Sequence, residues 1–228
     1  VNFNATNCTS MGSYYYPVFK NCTNLTTVNI GANVQIIPSY AFYGCTGLTS
    51  ITIPDSVTSI GSSAFEGCNN LQYLKIPFVG QNTDGTGFTN FGYIFGAANE
   101  SYPEYHNADY VPKSLKDVVV TGSINIAANA FYDCKYITSI SFTGDIKLIG
   151  EWAFGGCNGL KKVMLPASLK TIRSKAFYDC INLTDVYYRG NSSQRNNIAI
   201  EYGNDPLEDA AWHYNYGKIT YPDVSDNA

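Results

Sequence analysis

Residues 48–68, LTSITIPDSVTSIGSSAFEGC, are written again and again along this chain at one fixed interval, and that interval constrains the fold more than any other feature. Its cysteine marks the phase: Cys22, Cys45 and Cys68 lie 23 residues apart, and so do Cys134, Cys157 and Cys180. Self-similarity at such a period is the signature of stacked repeats, each a single coil of a solenoid.

Each position of the coil has a physical reading. Leu48, Ile51 and Ile53 alternate as a short strand with one buried face. Pro54 has no N–H to give to a ladder and ends it. Val57 and Ile60 form a second inward stripe, and Ala64, Phe65 and Cys68 have the spacing of one helical turn. Asn24, Gly47, Asn70, Gly159 and Asn182 stand just before the strands, and these residue types predict a left-handed backbone there. One coil cannot bury its own apolar stripe, whereas stacked coils do so and pair their strands in parallel. Phe19, Phe42, Phe65, Phe131, Phe154 and Phe177 then fall into one file, the expected stabilising spine. The predicted fold is a solenoid with a parallel β-ladder and short helical or irregular turns.

Residues 1–190 read as that solenoid. The first coil, 1–24, is degraded, and Val1-Asn2-Phe3 reads as the end of a repeat strand, which suggests an excised piece of a longer chain. Strands start at Leu25, Leu48, Leu71, Leu115, Ile137, Leu160 and Leu183, but Leu71 to Leu115 spans 44 residues, 21 more than one repeat. The excess lies in an insertion over 78–114 rich in Gly, Asn and aromatic residues. Phe78, Phe88, Phe91, Tyr93, Phe95, Tyr102, Tyr105 and Tyr110 are too apolar to stay solvated together, so a satellite core against the flank of the coils is expected. Residues 191–216 read as a cap over the last open core, with a short helix over 192–197 and a strand around Trp212-His213-Tyr214. Residues 217–228 read as a tail or linker.

The net charge of −4, pI near 5.1 and 14% charged residues argue against a nucleic-acid or anionic-membrane surface. No apolar run has the length of a membrane span, so no membrane insertion of this segment is expected. The six in-phase cysteines recur on neighbouring rungs about 4.8 Å apart, wider than the roughly 3.5–4.5 Å between Cβ atoms in a disulfide. They are expected to be buried and reduced; Cys8 is off phase.

LTSITIPDSVTSIGSSAFEGC, SLKTIRSKAFYDC and AFYGC closely resemble the leucine-rich repeats of BspA-like surface proteins of bacteria and some protists, over residues 25–189. The resemblance implies a right-handed leucine-rich-repeat solenoid and a secreted or surface-anchored bacterial protein, since named members are adhesins that bind host or matrix proteins. It does not choose a ligand, and the site has to be argued from residues.

Catalytic chemistry has little sequence support. The histidines are His106 and His213, and no G-x-S-x-G, H-E-x-x-H, C-x-x-C or P-loop occurs. Asn82 and Asp84-Gly85 echo a calcium loop, but Gly80 stands at its first acid and Phe91 at its closing Glu. Gly85-Thr86-Gly87 reads as a turn. Seven N-x-S/T triplets begin at Asn4, Asn7, Asn21, Asn24, Asn99, Asn182 and Asn191, three of them, Asn21, Asn24 and Asn182, in repeat turns where Asn already has a structural role. No catalytic residue, cofactor or metal is therefore expected.

The expected function is non-catalytic binding or adhesion toward a host or matrix protein or a glycan. The outward strand positions are Thr27 and Asn29, Ser50 and Thr52, Tyr73 and Lys75, Asp117 and Val119, Ser139 and Ser141, Lys162 and Met164, and Asp185, Tyr187 and Arg189. Lys162, Met164, Asp185, Tyr187 and Arg189 combine aromatic, thioether and charge as interface hot spots do. Tyr102, Tyr105 and Tyr110 on the rim of the insertion are further candidates. Tyr40 and Trp152, on the opposite side, are not. A passive spacer is the alternative, and a glycan-processing enzyme built on Glu100, Glu104 and Asp109 beside His106 ranks last.

Overall fold

The computed structural model describes residues 2–3, 12–13, 15–97, 107–122 and 125–217. Cys8, Asn4, Asn7, Asn99, Glu100, Tyr102, Glu104, Tyr105, His106 and the tail from 218 lie outside them. Nine strands form one parallel sheet in chain order: Asn2–Phe3, Asn29–Ile30, Ser50–Thr52, Tyr73–Ile76, Asp117–Val120, Ser139–Phe142, Lys162–Leu165, Asp185–Tyr188 and Ala211–His213. The register follows the repeat, with Ser50 opposite Tyr73, Ser139 opposite Lys162 and Lys162 opposite Asp185. Alternation along each strand buries Ile51, Leu74, Val118, Ile140, Val163 and Val186 inside the coils. This is the leucine-rich-repeat solenoid.

The insertion adds no rung, because Tyr73 pairs directly with Asp117. It also departs from the expected satellite core. Phe78, Phe91, Tyr93, Ile94, Phe95 and Val111 belong to the single central core. The Phe rings stack from coil to coil at 5.4 Å (Phe19 to Phe42) and 5.3 Å (Phe42 to Phe65), then 5.2 Å (Phe131 to Phe154) and 4.9 Å (Phe154 to Phe177). Between Phe65 and Phe131 the insertion supplies two rings: Phe95 lies 6.2 Å from Phe65, Phe91 lies 4.8 Å from Phe131, and the two are 5.3 Å apart. They sit on a 3-10 helix, Phe91–Phe95, that is hydrogen-bonded to both neighbours. In ordinary coils the Phe N–H donates to the Ala carbonyl of the next coil, as from Phe42 to Ala64 (2.8 Å) and from Phe131 to Ala153 (2.7 Å). Here Phe65 N–H donates to Ile94 (2.8 Å) and Phe91 N–H to Ala130 (2.7 Å), so the insertion closes one enlarged coil. Buried Asn107 fixes it, its Oδ1 accepting from Gly92 N–H at 2.5 Å and its Nδ2 donating to the Tyr132 carbonyl at 3.0 Å.

The left-handed positions also differ from expectation. Asn24, Gly47, Asn70, Gly159 and Asn182 do not have positive φ; the recurring positive-φ residues are Asn21, Gly44, Gly67, Asp133, Gly156 and Asp179, three positions earlier, and Tyr40, Ser63, Asn129, Trp152 and Lys175. These split the expected helical turn of regular coils into successive turns of the kind in which Cys68 N–H donates to Phe65 (3.1 Å). The position before the strand is small or amide for another reason. A Cβ on Gly47 or Gly159 would sit 2.4 or 2.2 Å from the carbonyl oxygen of Thr23 or Lys135. At the same position Asn70 and Asn182 donate to the equivalent carbonyls of Thr46 (2.8 Å) and Asn158 (2.6 Å).

The cysteines run parallel to the Phe file. Cys45, Cys68, Cys157 and Cys180 donate through Sγ to the carbonyls of Phe19, Phe42, Phe131 and Phe154 at 3.0–3.2 Å. The six in-phase cysteines are free, five of them buried and Cys22 half-buried.

A second, shorter ladder follows the inner Ile stripe. Ile36–Ile37 pairs with Ser59–Ile60, and Leu148–Ile149 with Thr171–Ile172 and then Ala199–Ile200. That last strand belongs to the cap, which also holds helices Ser192–Arg195 and Asp205–Asp209. Asn191 starts the first of these with reciprocal bonds to Gln194 (2.8 and 2.9 Å). Leu207 and Ile198 are buried and Trp212 packs on the core.

Candidate ladder-face site

Two rows of outward side chains cross the main ladder. One runs Tyr73, Asp117, Ser139, Lys162, Asp185, Ala211, and the other Lys75, Val119, Ser141, Met164, Tyr187, His213. Strands about 4.8 Å apart let long side chains shadow short ones. Val119, Ser139 and Ser141 are accordingly buried despite pointing outward.

Met164 must be corrected in the same way: it is 3% exposed and offers no thioether to a partner. Its cover is Arg189, whose Nη2 lies 3.9 Å from Met164 Sδ while Nη1 donates to the Thr143 carbonyl at 3.2 Å. Arg189 therefore spans two coils as a strap across the face. Its Nε is buried with no hydrogen-bond partner among the described residues.

Lys162 is exposed, and Asp185 and Tyr187 are half-buried. The cap strand Ala211–His213 brings His213 beside them, with Nε2 2.7 Å from Asp185 Oδ1. Thr184 Oγ1 donates to the other carboxylate oxygen at 2.7 Å. The His213 hydrogen bond, then that of Thr184, holds the Asp185 carboxyl below its usual range, with the charges of His213 and Lys162 adding to it. Tyr187 stacks on His213 at 4.6 Å and meets Tyr216 edge-on at 4.6 Å. Loss of hydration raises the Tyr187 phenol above its ordinary value, so at neutral pH it keeps its O–H donor.

Lys162, Asp185, Tyr187 and Arg189 are thus brought together, and His213, Tyr216 and Thr184 join them. The sequence signal for His213 was its place on the terminal strand, but Asp185 pairs with Ala211, 26 residues on, so the 23-residue phase does not align it. Tyr110, at the end of helix Asn107–Tyr110, is half-buried against the core. The stretch that echoes a calcium loop is a turn in which Asp84 Oδ1 accepts from Thr86 N–H (2.9 Å) and Oγ1 (2.6 Å). Among the described residues no group of three or more His, Cys, Asp or Glu is placed to hold a metal, and no helix is long and apolar enough to cross a membrane.

Comparison with curated proteins finds no match. Solved structures similar to this chain include a leucine-rich repeat protein of T. pallidum (26% identity, 71% of this chain and 57% of that one, TM-score 0.34). A leucine rich cell surface protein of Faecalibacterium prausnitzii is 23% identical over 86% of this chain and 61% of its own, with TM-score 0.29. The chain therefore spans about 60% of the length of these two proteins. The TLR13–ssRNA13 complex shares the fold at TM-score 0.56, with 14% identity over 90% of this chain and 27% of that one. The profile of the BspA type leucine rich repeat region matches residues 6–92 and 110–210 in six copies. With the repeat register, the Phe file and the Cys ladder in place, the chain belongs to the BspA-type leucine-rich-repeat family.

Proposed function

We propose that this chain is a non-catalytic binding or adhesion module of a secreted or cell-surface bacterial protein, recognising a protein or glycan partner at the cap-proximal end of its ladder face. The supporting observation is the cluster of Tyr187, His213 and Tyr216 beside Asp185 and Lys162, held by ring contacts of 4.6 Å and the 2.7 Å Asp185–His213 bond. Rigid aromatic rings beside charged groups gain contact area with little loss of side-chain entropy. Secretion and surface placement rest on membership of the BspA-type family. The spacer alternative draws on the early rungs, where Asn29, Ser50 and Thr52 are small and polar.

The test is an array of extracellular-matrix proteins and glycans probed with the wild-type chain and with the Lys162→Ala/Tyr187→Ser variant. Binding by the wild type, lost in the variant at unchanged melting temperature, is expected. An array on which the wild type retains nothing would leave the spacer.

A further inference from the structure

The second ladder is interrupted at the insertion, and a groove of 670 Å³ opens in the gap. In each regular coil the residue after the inner Ile donates its N–H to the Ile carbonyl of the coil before: Gly61 to Ile37 (2.8 Å), Gly150 to Ile126 (2.8 Å), Arg173 to Ile149 (2.9 Å). On the N-terminal side of the gap the insertion turns back, so that Ile60 N–H donates to Gln81 (2.9 Å) and Ser59 bridges Asn82 antiparallel. On the C-terminal side Ile126 bridges Ile149, and the residue that should donate backward is Ala127. No Ile carbonyl stands in front of it. Its N–H has no hydrogen-bond partner among the described residues, and Ala127 lines the groove.

The first coil of this ladder faces the same problem and removes it. There the residue after Ile37 is Pro38, which has no N–H. Ala127 keeps its donor in an open ladder edge, and such an edge is a template for an added strand.

Buried Phe78 and half-buried Val79 and Leu148 make the apolar floor of the groove. The rim carries three carboxylates, Asp84, Glu151 and Glu201, against one guanidinium, Arg173, which Glu201 already pairs at 2.8 Å. Glu151 makes no side-chain hydrogen bond or ion pair among the described residues, so the groove presents uncompensated negative charge.

We propose that this groove binds an extended peptide segment of a partner protein, which adds as a strand to the Ala127 edge. Its backbone carbonyl accepts from Ala127 N–H, an apolar side chain enters beside Val79 and Leu148, and a Lys or Arg on the alternate position meets Glu151 and Asp84. Period-two alternation in a strand puts those two kinds of side chain on opposite faces, one toward the floor and one toward the rim.

The test uses the full chain and two capped, fluorescein-labelled peptides, Val-Lys-Val-Lys-Val and Val-Glu-Val-Glu-Val, read by anisotropy. The Lys peptide is expected to bind at least about tenfold more tightly than the Glu peptide. Ala127→Pro removes the donor and puts a ring carbon in its place, and Pro38 beside Gly61 already shows that the coil accepts proline at this position. It is expected to abolish binding at unchanged melting temperature, and Glu151→Gln to weaken it severalfold. Equal binding by Ala127→Pro, equal affinity for the two peptides, or no binding of either would overturn the proposal. Self-association of the wild type that Ala127→Pro abolishes would also overturn it, in favour of a second copy of this chain as the occupant.

Discussion

Phe177 N–H donates to Asn204 Oδ1 at 2.9 Å, where Phe19, Phe42, Phe131 and Phe154 each donate to the carbonyl of an Ala in the coil that follows. The last coil has no successor, and a cap side chain takes the place of its backbone. The same amide donates from Nδ2 to the carbonyls of Glu201 (2.8 Å) and Arg173 (2.9 Å), and Asn204 is buried. Removing it leaves a buried donor and two carbonyls without their partner. Asn204→Ala is expected to destabilise by about 2–4 kcal/mol, against about 1 kcal/mol for Asn191→Ala at the exposed helix cap. Urea denaturation of the two variants checks the order, and equal midpoints would remove Asn204 from its role as end of the ladder.

The insertion's rings are part of the spine. Phe91→Ala and Phe95→Ala are therefore expected to cost about 3–5 kcal/mol each, as Phe65→Ala does, whereas exposed Thr52→Ala costs about half a kcal/mol or less. A satellite core would instead lose a local transition and leave the main unfolding midpoint in place. Urea titration of the four variants separates these outcomes.

Burial pushes the Cys45 thiol up to about 11 and those of Cys68 and Cys180 up to about 12. In the unfolded chain a thiol ionises near 8.5, so the folded state binds these protons more tightly. The stability this contributes is intact below the unfolded value and is lost as pH rises through the folded ones. The urea midpoint is expected to fall between about pH 8 and about pH 11, and less in a Cys68→Ala/Cys180→Ala variant. At neutral pH an aromatic disulfide reagent should modify Cys22 before the five buried thiols.

Asp185 carries the opposite sign. Its carboxyl is held below the usual range chiefly by the His213 hydrogen bond, so the stability it contributes is present above the unfolded carboxylate value and is lost as pH falls through the folded one. Carbon-detected NMR titration should find Asp185 low in the wild type and shifted upward in His213→Ala. An unchanged titration would mean that the 2.7 Å contact does not persist in solution.

Much of the fold was legible because each feature repeats at a fixed phase. The Cys file, the Phe file and the ladder register all follow from 23-residue spacing, and every extra copy strengthens the assignment. Phe91, Phe95, Asn107 and Asn204 were not legible, because each replaces a repeat residue from an off-phase position and only the folded chain shows what it replaces. The left-handed turns were misplaced because Gly and Asn recur at two points of the coil for different reasons. Gly44 needs its positive φ, while Gly47 needs to have no Cβ near the Thr23 carbonyl. In the candidate site Met164 was misjudged, since facing outward on a strand says nothing about a strap such as Arg189 reaching over it from the next coil to Thr143 in the coil before.

The assignment of binding to the ladder face is tested most directly by comparing two aromatic surfaces in one surface-plasmon-resonance experiment against whichever matrix protein or glycan the array identifies. Tyr187→Ser/Tyr216→Ser strips the ladder face, and Tyr178→Ser/Tyr202→Ser strips the exposed rings around Lys175, which lies 6.0 and 5.8 Å from them. Loss of binding by at least about tenfold in the first variant, with the second unaffected and both melting as the wild type does, is the expected result. Retained binding in the first variant and loss in the second would place the partner on the other side of the solenoid and contradict it.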